Sequence, residues 1–417
     1  MPAPKAHLLL IGSELTEGRL LDKNGQFLAK KLSDLGFYVE QIKLLPDNPD
    51  LLRKSFQESL HTPVSVLFSS GGLGHTSDDL TAELWAEVLG DSLHFSEELY
   101  EQLRARLEER GVKALPYLER YARIPQKGEA LPNPVGLSPA LYWEVGERAI
   151  CALPGPPSEL QALWEQVQPR LIQKFKPVPP LQHTFRTTGL TESRVSALLE
   201  SWETTLPPGL QLAYNPSWEG VSLHLRAPAE IGEASFQAAV ASLRDRLKPY
   251  LYAEGNTPLT AAILAELKRR GETLAIAESC TGGHIVAAVV DIPGASEVLV
   301  GGIVAYANSA KESLLGVPPA VLREKGAVSE ETARAMAEGV QRRFGATWGV
   351  ATTGIAGPTG GSAEKPIGTV WIGVAGPSGT WAKKYIFPGG RTAVIGRATA
   401  TALSLFWQAV RGVLSFA

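Results

Sequence analysis

Apolar and polar positions alternate in short blocks along the first 175 residues. Apolar runs at His7 to Ile11, Phe37 to Leu45 and Val64 to Phe68 are separated by helically periodic stretches at Asn24 to Leu35 and Asp50 to Leu60. That alternation predicts β-α-β units and a parallel sheet. Parallel sheets hold their ligands at the carboxyl ends of strands, so the residues after Ile11, Phe68 and Leu153 are the ones to inspect. A glycine follows each of them within three positions.

Lys176-Pro177-Val178-Pro179-Pro180 is a stiff break, and a different pattern begins after it. A strand at His183 to Arg186, a helix from Glu192, two strands around Asn215 to Gly220 and a helix ending at Leu247 predict a small α+β module. Its β-α-β-β-α order is similar to KH folds, but it has no GXXG loop and no basic excess, which argues against RNA. A second break falls at Gly255-Asn256, and Thr257-Pro258 opens a helix with threonine as cap and proline in the first turn. From there strands near Leu274, Val300, Gly349, Val370 and Lys383 alternate with helices. The expected organisation is therefore three parts: 1–175 and 257–417, both α/β, flanking the α+β module at 181–253.

Composition narrows the function more than the fold. Of 417 residues, 44% are hydrophobic and 20% charged, as in ordinary globular proteins, and a formal charge of -3 speaks against electrostatic capture of nucleic acid. The two cysteines, Cys151 and Cys280, form neither a disulfide framework nor a zinc pattern, which fits a reducing cytoplasm. The N-terminal apolar run is too short for a signal peptide, and no run of apolar residues is long enough for a membrane span. Small molecules are the expected partners, and a homodimer is the expected assembly.

The richest chemistry lies in the last third. Ala277-Glu278-Ser279-Cys280-Thr281-Gly282-Gly283 ends a strand and leads into a helix, where free N–H groups could stabilise an acyl oxyanion. Tyr306-Ala307-Asn308-Ser309-Ala310-Lys311 ends the next strand at the same sheet edge, so Lys311 could serve as base for a Ser279 nucleophile. Spacing alone leaves the alternatives open: Ser279 as a helix cap and Lys311 as a solvated helix residue. A third strand end carries Ala351 to Pro358, with Thr353, Gly354 and Gly357. Arg391 follows Pro388-Gly389-Gly390 at the start of the last helix and would suit a phosphate.

Near the N-terminus, Ser69 to Thr81 contains Gly71, Gly72 and Gly74 followed by Asp78 and Asp79, at a strand end that opens a helix. Glu14 and Asp22 add carboxylates near a neighbouring strand end. These four acidic residues are the candidate ligands of a divalent cation, and the glycines are candidate phosphate contacts.

Two resemblances sharpen these readings. AESCTGG, the YAN-x-x-K segment, ATTGIAGPTGG and PGGR, in that order over about 130 residues, resemble the nicotinamide mononucleotide deamidase domain of the CinA family. That resemblance implies a metal-free Ser/Lys amidase with Ser279 as nucleophile, Lys311 as base, Tyr306 and Thr353 orienting the pair and Ser296 lining the site. Thr281, Gly282, Gly283, Gly354, Gly357 and Arg391 become substrate contacts, and Cys280 a packing residue. GGLG-x-x-x-DD-x-T, PNPVG at 132–136 and LPGPPSEL at 153–160 resemble a molybdopterin-binding domain, which implies a three-layer fold. Ser70 stands where the motif usually has threonine, and Ala140 where it often has glycine. In the CinA family this domain implies metal-dependent hydrolysis of ADP-ribose, with Asp79 as first metal ligand and Asp78, Glu14 and Asp22 beside it; pterin binding with a C-terminal domain lacking activity is the alternative.

Overall fold

The computed structural model describes residues 3–112 and 117–413. The chain divides into two compact units, Met1–Pro180 and Leu181–Ala417. In the first, β1 (Lys5–Ile11), β2 (Tyr38–Leu45), β3 (Val66–Ser70), β6 (Glu129–Leu131), β7 (Ala140–Val145) and β8 (Arg148–Leu153) form one sheet, while β4 (Leu93–Phe95) and β5 (Arg123–Pro125) pair separately. The sheet order is β2-β1-β3-β8-β7-β6; the first four strands are parallel and the last two antiparallel.

The run Leu8-Leu9-Leu10-Ile11 is continuous because β1 is covered on both faces. Leu8 joins Leu28, Leu32, Phe68 and Trp164 on one side, whereas Leu9 joins Leu52, Phe56, Leu67 and Trp85 on the other. The helices Asn24–Leu35 and Pro157–Phe175 supply the first layer, and Pro49–His61 and Thr81–Val88 the second. Three layers result, and the strand ends at Ile11, Ser70 and Leu153 share one edge.

The second unit contains two sheets. β9 (Leu181–Thr187), β10 (Gln211–Pro216), β11 (Val221–Ala227) and β12 (Leu251–Glu254) are antiparallel in the order β10-β11-β9-β12, backed by helices Glu192–Glu203 and Glu233–Leu247. The element order is therefore β-α-β-β-α-β, a split β-α-β pattern. The pattern expected from sequence lacked its last strand; the two strands expected around Asn215 to Gly220 are β10 and β11, with residues 217–220 forming the turn between them.

β13 (Leu274–Glu278), β14 (Leu299–Val304), β15 (Trp348–Gly354), β16 (Thr369–Gly376) and β17 (Gly379–Ile386) make the other sheet, in the order β14-β13-β15-β16-β17. Its first three strands are parallel, the last two antiparallel. Helices Leu259–Arg270, His284–Val290 and Arg391–Val410 share a core with one face, and Glu330–Phe344 packs on the other. That last helix approaches closely: a Cβ on Gly349 would stand 2.2 Å from the Ala337 carbonyl oxygen. No helix among the described residues is long and apolar enough to cross a membrane.

Candidate functional site

β13 and β14 run parallel with Glu278 opposite Val304, so the residues that follow each strand emerge side by side. The N–H of Ala305 donates to the Glu278 carbonyl at 2.8 Å and that of Ser279 to Thr352 at 2.9 Å, which ties three strand ends together. Helix Asn308–Leu315 then points Lys311 back beneath them. Lys311 is 1% exposed, and its Nζ lies 3.0 Å from Ser279 Oγ, 2.8 Å from the Ala305 carbonyl oxygen and 3.0 Å from that of Tyr306. Burial pushes its ammonium below the ordinary lysine range. The solvated-lysine alternative is thereby removed, and Ser279, itself buried, forms no side-chain cap.

Cys280 is buried beside this pair, and desolvation raises its thiol to about 12. A thiolate there is disfavoured at neutral pH. Thr281 and Thr352 share a hydroxyl hydrogen bond of 2.6 Å. The hydroxyl of Thr353 donates to Ala327 at 2.6 Å, anchoring the end of β15 to the segment before helix Glu330–Phe344. Gly282 and Gly283 take left-handed backbone conformations that turn the chain into the next helix.

A rim is built around Tyr306 and Arg391. Tyr306 is exposed, with its hydroxyl 3.4 Å from Arg391 Nη2, and Arg391 Nη1 donates to the Gly357 carbonyl at 3.0 Å. Gly354, Gly357 and Arg391 therefore gather at the Ser279 end of the sheet, as their motif positions imply. Ser296 does not. It is exposed in the turn before β14, next to the end of the sheet where Leu274 pairs with Leu299, one strand length from Ser279. Within one chain it cannot line this site.

Glu278 went unnoticed in the sequence, although an acid ending the apolar strand Leu-Ala-Ile-Ala was its signal. It is 0% exposed, and its carboxylate accepts backbone N–H groups from Gly283, Ile285 and Val286 at 2.9, 3.2 and 2.9 Å.

The N-terminal unit has a cavity of about 440 Å³ at the shared strand edge. Gly71, Gly72, Gly74, Asp78, Asp79 and Glu14 all line it. Asp79 accepts from the Thr76 N–H at 2.9 Å and hydroxyl at 2.6 Å, and the Thr76 hydroxyl also holds the Asp78 carboxyl below its ordinary range. Asp22 is absent from the lining: it accepts the N–H groups of Asn24 and Gly25 at 3.0 Å each, capping the first helical turn. His75 is a loop residue, stacked on Tyr117 with ring centres 3.7 Å apart.

Two residues of this cavity, Asp47 and Glu159, and one beside it, Arg120, were not singled out in the sequence. Asp47 accepts the Ser13 N–H at 2.6 Å. Glu159 receives the Asn133 amide at 2.7 Å, and burial raises its carboxyl above the ordinary range. Arg120, from a short helical turn, donates to the carbonyls of His75 and Thr76 at 2.7 and 2.8 Å and so braces the loop that carries both aspartates. Among the described residues no group of three His, Cys, Asp or Glu is gathered tightly enough to enclose a metal by itself. Such a lining fits an ion held by one or two carboxylates together with substrate phosphates.

Comparison with known proteins adds the ancestry. Residues 256–410 match the family model of the CinA C-terminal domain, and residues 7–173 that of a probable molybdopterin binding domain. A CinA-like protein of Anaeromyxobacter dehalogenans (strain 2CP-C) is 38% identical over 413 residues, covering 98% of this chain and 100% of its own. One from Salinibacter ruber (strain DSM 13855 / M31) is 37% identical over 392 residues, covering 93% and 95%. The solved structure of the competence/damage inducible protein CihA from Agrobacterium tumefaciens is 40% identical where it aligns, covering 37% of this chain and 93% of that one with a TM-score of 0.36. The chain belongs to the CinA family and joins a molybdopterin-binding-like domain to a CinA C-terminal domain.

Proposed function

We propose that the Ser279/Lys311 centre hydrolyses the amide of nicotinamide mononucleotide to nicotinic acid mononucleotide and ammonia. The observation that carries this reading is the buried Lys311 Nζ, 3.0 Å from Ser279 Oγ, with no ion-pair partner among the described residues. A neutral lysine amine has two N–H bonds and one lone pair. The two bonds serve the carbonyls of Ala305 and Tyr306, and the lone pair faces the serine hydroxyl.

Ser279 Oγ attacks the amide carbon as Lys311 takes its proton. The tetrahedral adduct collapses with that proton leaving on ammonia, and water, deprotonated by the same amine, then cleaves the acyl-serine ester. The cationic pyridinium draws electron density from the carbonyl and eases the attack. Arg391 at the rim suits the substrate phosphate, with Gly282, Gly283, Gly354 and Gly357 shaping the space around it. This chemistry calls for no cofactor.

For the N-terminal cavity the same reading assigns hydrolysis of ADP-ribose to AMP and ribose 5-phosphate. Asp79, with Asp78 or Glu14, would hold a divalent cation, which when bound would neutralise diphosphate charge and acidify water. The match of residues 7–173 to a probable molybdopterin binding domain favours a second reading, pterin binding without turnover.

Ammonia release from nicotinamide mononucleotide, measured with chelator present, tests the first assignment. Wild type should release ammonia, and Ser279→Ala and Lys311→Ala, each folded, should not. Undiminished release by either variant would refute the dyad. Release of AMP from ADP-ribose only when Mg, Mn or Co is added separates the hydrolase from the pterin reading.

A further inference from the structure

One buried charge beside the dyad has no part in the chemistry above. Glu278 ends β13, fully buried, immediately before the nucleophile. Its carboxylate takes the N–H groups of Gly283, Ile285 and Val286, while the N–H of His284 goes to the Thr281 carbonyl at 3.2 Å. The opening donors of helix His284–Val290 are thus all engaged, and its positive end already faces a carboxylate. The helix terminus, to which the sequence pattern assigned an oxyanion, has no donor left to give one.

Of the four amides between the nucleophile and that helix, those of Cys280 and Thr281 remain to be placed. Around them, the Ser279 N–H is bound to Thr352 and the Gly282 N–H to the Ser279 carbonyl at 3.3 Å. Among the described residues, no other residue supplies an acceptor to the N–H of Cys280, which meets only its own sulfur, or to that of Thr281. Buried N–H groups are nearly always paired, and two with no acceptor in another residue, beside a serine nucleophile, are the arrangement that acyl transfer uses.

We infer that Glu278 is a positioning residue of this centre: its carboxylate occupies the helix-terminal donors, fixes the loop 279–283, and leaves the Cys280 and Thr281 amides to receive charge from the acyl oxygen. The inference rests on Ser279 being the nucleophile proposed above. As the Oγ–carbon bond forms, the carbonyl π pair moves onto oxygen; it returns as the carbon–nitrogen bond breaks and ammonia leaves with the proton from Lys311. The oxygen carries its charge only between those events, so the amides act on turnover rather than on substrate binding.

Glu278→Gln is the test, since it keeps the shape but puts an amide N–H₂ against backbone N–H groups. Two rates are read: ammonia release from nicotinamide mononucleotide with kcat and KM separated, and labelling of Ser279 by a fluorophosphonate, which needs the nucleophile but no pyridine nucleotide. Expected are a kcat lowered about 10²–10³-fold with KM nearly unchanged, labelling slowed comparably, and an unmoved pH limb from Lys311. Glu278→Asp should recover part of the loss.

Wild-type labelling and kcat in folded Glu278→Gln, or losses that only follow its unfolded fraction, would overturn the inference. If Glu278→Gln does not fold, Glu278→Asp carries the test, with unchanged kcat and labelling as the refuting result. Wild type that labels without releasing ammonia would sink the nicotinamide mononucleotide reading alone, leaving Glu278 to be judged by labelling. Wild type that does neither removes Ser279 as nucleophile, and the inference falls with it.

Discussion

A single nitrogen, Lys311 Nζ, sets the acid-base behaviour expected of the C-terminal site. Its pKa is lowered by burial, with the neighbouring Cys280 opposing in part. The amine must be neutral to accept the serine proton, so kcat/KM for ammonia release should rise with pH through the lowered value and then level. Stability should carry the same signature. Between the lowered value and the ordinary ~10.4 the unfolded chain binds the proton that the folded chain lacks, so stability rises with pH across that window. Urea unfolding of wild type and Lys311→Met over that range should show the slope only in wild type; equal slopes would mean the amine stays charged in the fold. Cys280→Ala should retain most of the ammonia release, because a thiol raised to about 12 contributes no nucleophile. At this scale the sequence was informative where a motif named both partners, as for Ser279 and Lys311. It was silent on Glu278, whose meaning depends on three N–H groups, and misleading on Ser296 and Asp22, whose places depend on which end of a strand or helix they occupy.

Helix packing carries the next level of argument. Gly339 in helix Glu330–Phe344 lies against the end of the lysine helix, and a Cβ there would stand 1.9 Å from the Leu315 carbonyl oxygen. Backbone cannot yield as a flexible side chain does. Gly339→Ala should therefore push helix Asn308–Leu315 outward, cost roughly 1–3 kcal/mol in denaturant unfolding, and lower kcat by displacing Lys311. A variant with native stability and native turnover would show that the two helices do not set the lysine's position. The parallel strands and their helices were readable from periodicity, since apolar runs and 3.6-residue patterns differ when an element is fully covered. β12 was not, because Leu-Tyr-Ala-Glu is four residues long and half polar, and its pairing with β9 is a long-range contact. In the turn at residues 217–220, Trp218 packs outward, against Gly396 of the last helix.

That contact decides which part of the whole molecule should travel with the Ser279/Lys311 centre. A Cβ on Gly396 would lie 1.9 Å from the Trp218 ring, and one on Gly189 would lie 2.8 Å from the Gln408 side chain, so the split β-α-β module lies along helix Arg391–Val410, whose first residue is Arg391. The compact unit accordingly begins at Leu181, after the proline-rich stretch, and the module is part of it. A fragment of residues 181–417 should fold and keep metal-independent ammonia release at close to the full-length kcat, since the donors, base and rim residues all come from within it. A fragment of residues 257–417 loses the cover over that helix; it should unfold at lower denaturant concentration, and KM should suffer before kcat because Arg391 lies at the rim while Ser279 and Lys311 are buried. Equal stability of the two fragments would make the module a bystander. Loss of turnover in the longer one would show that the Ser279/Lys311 centre needs residues before Leu181.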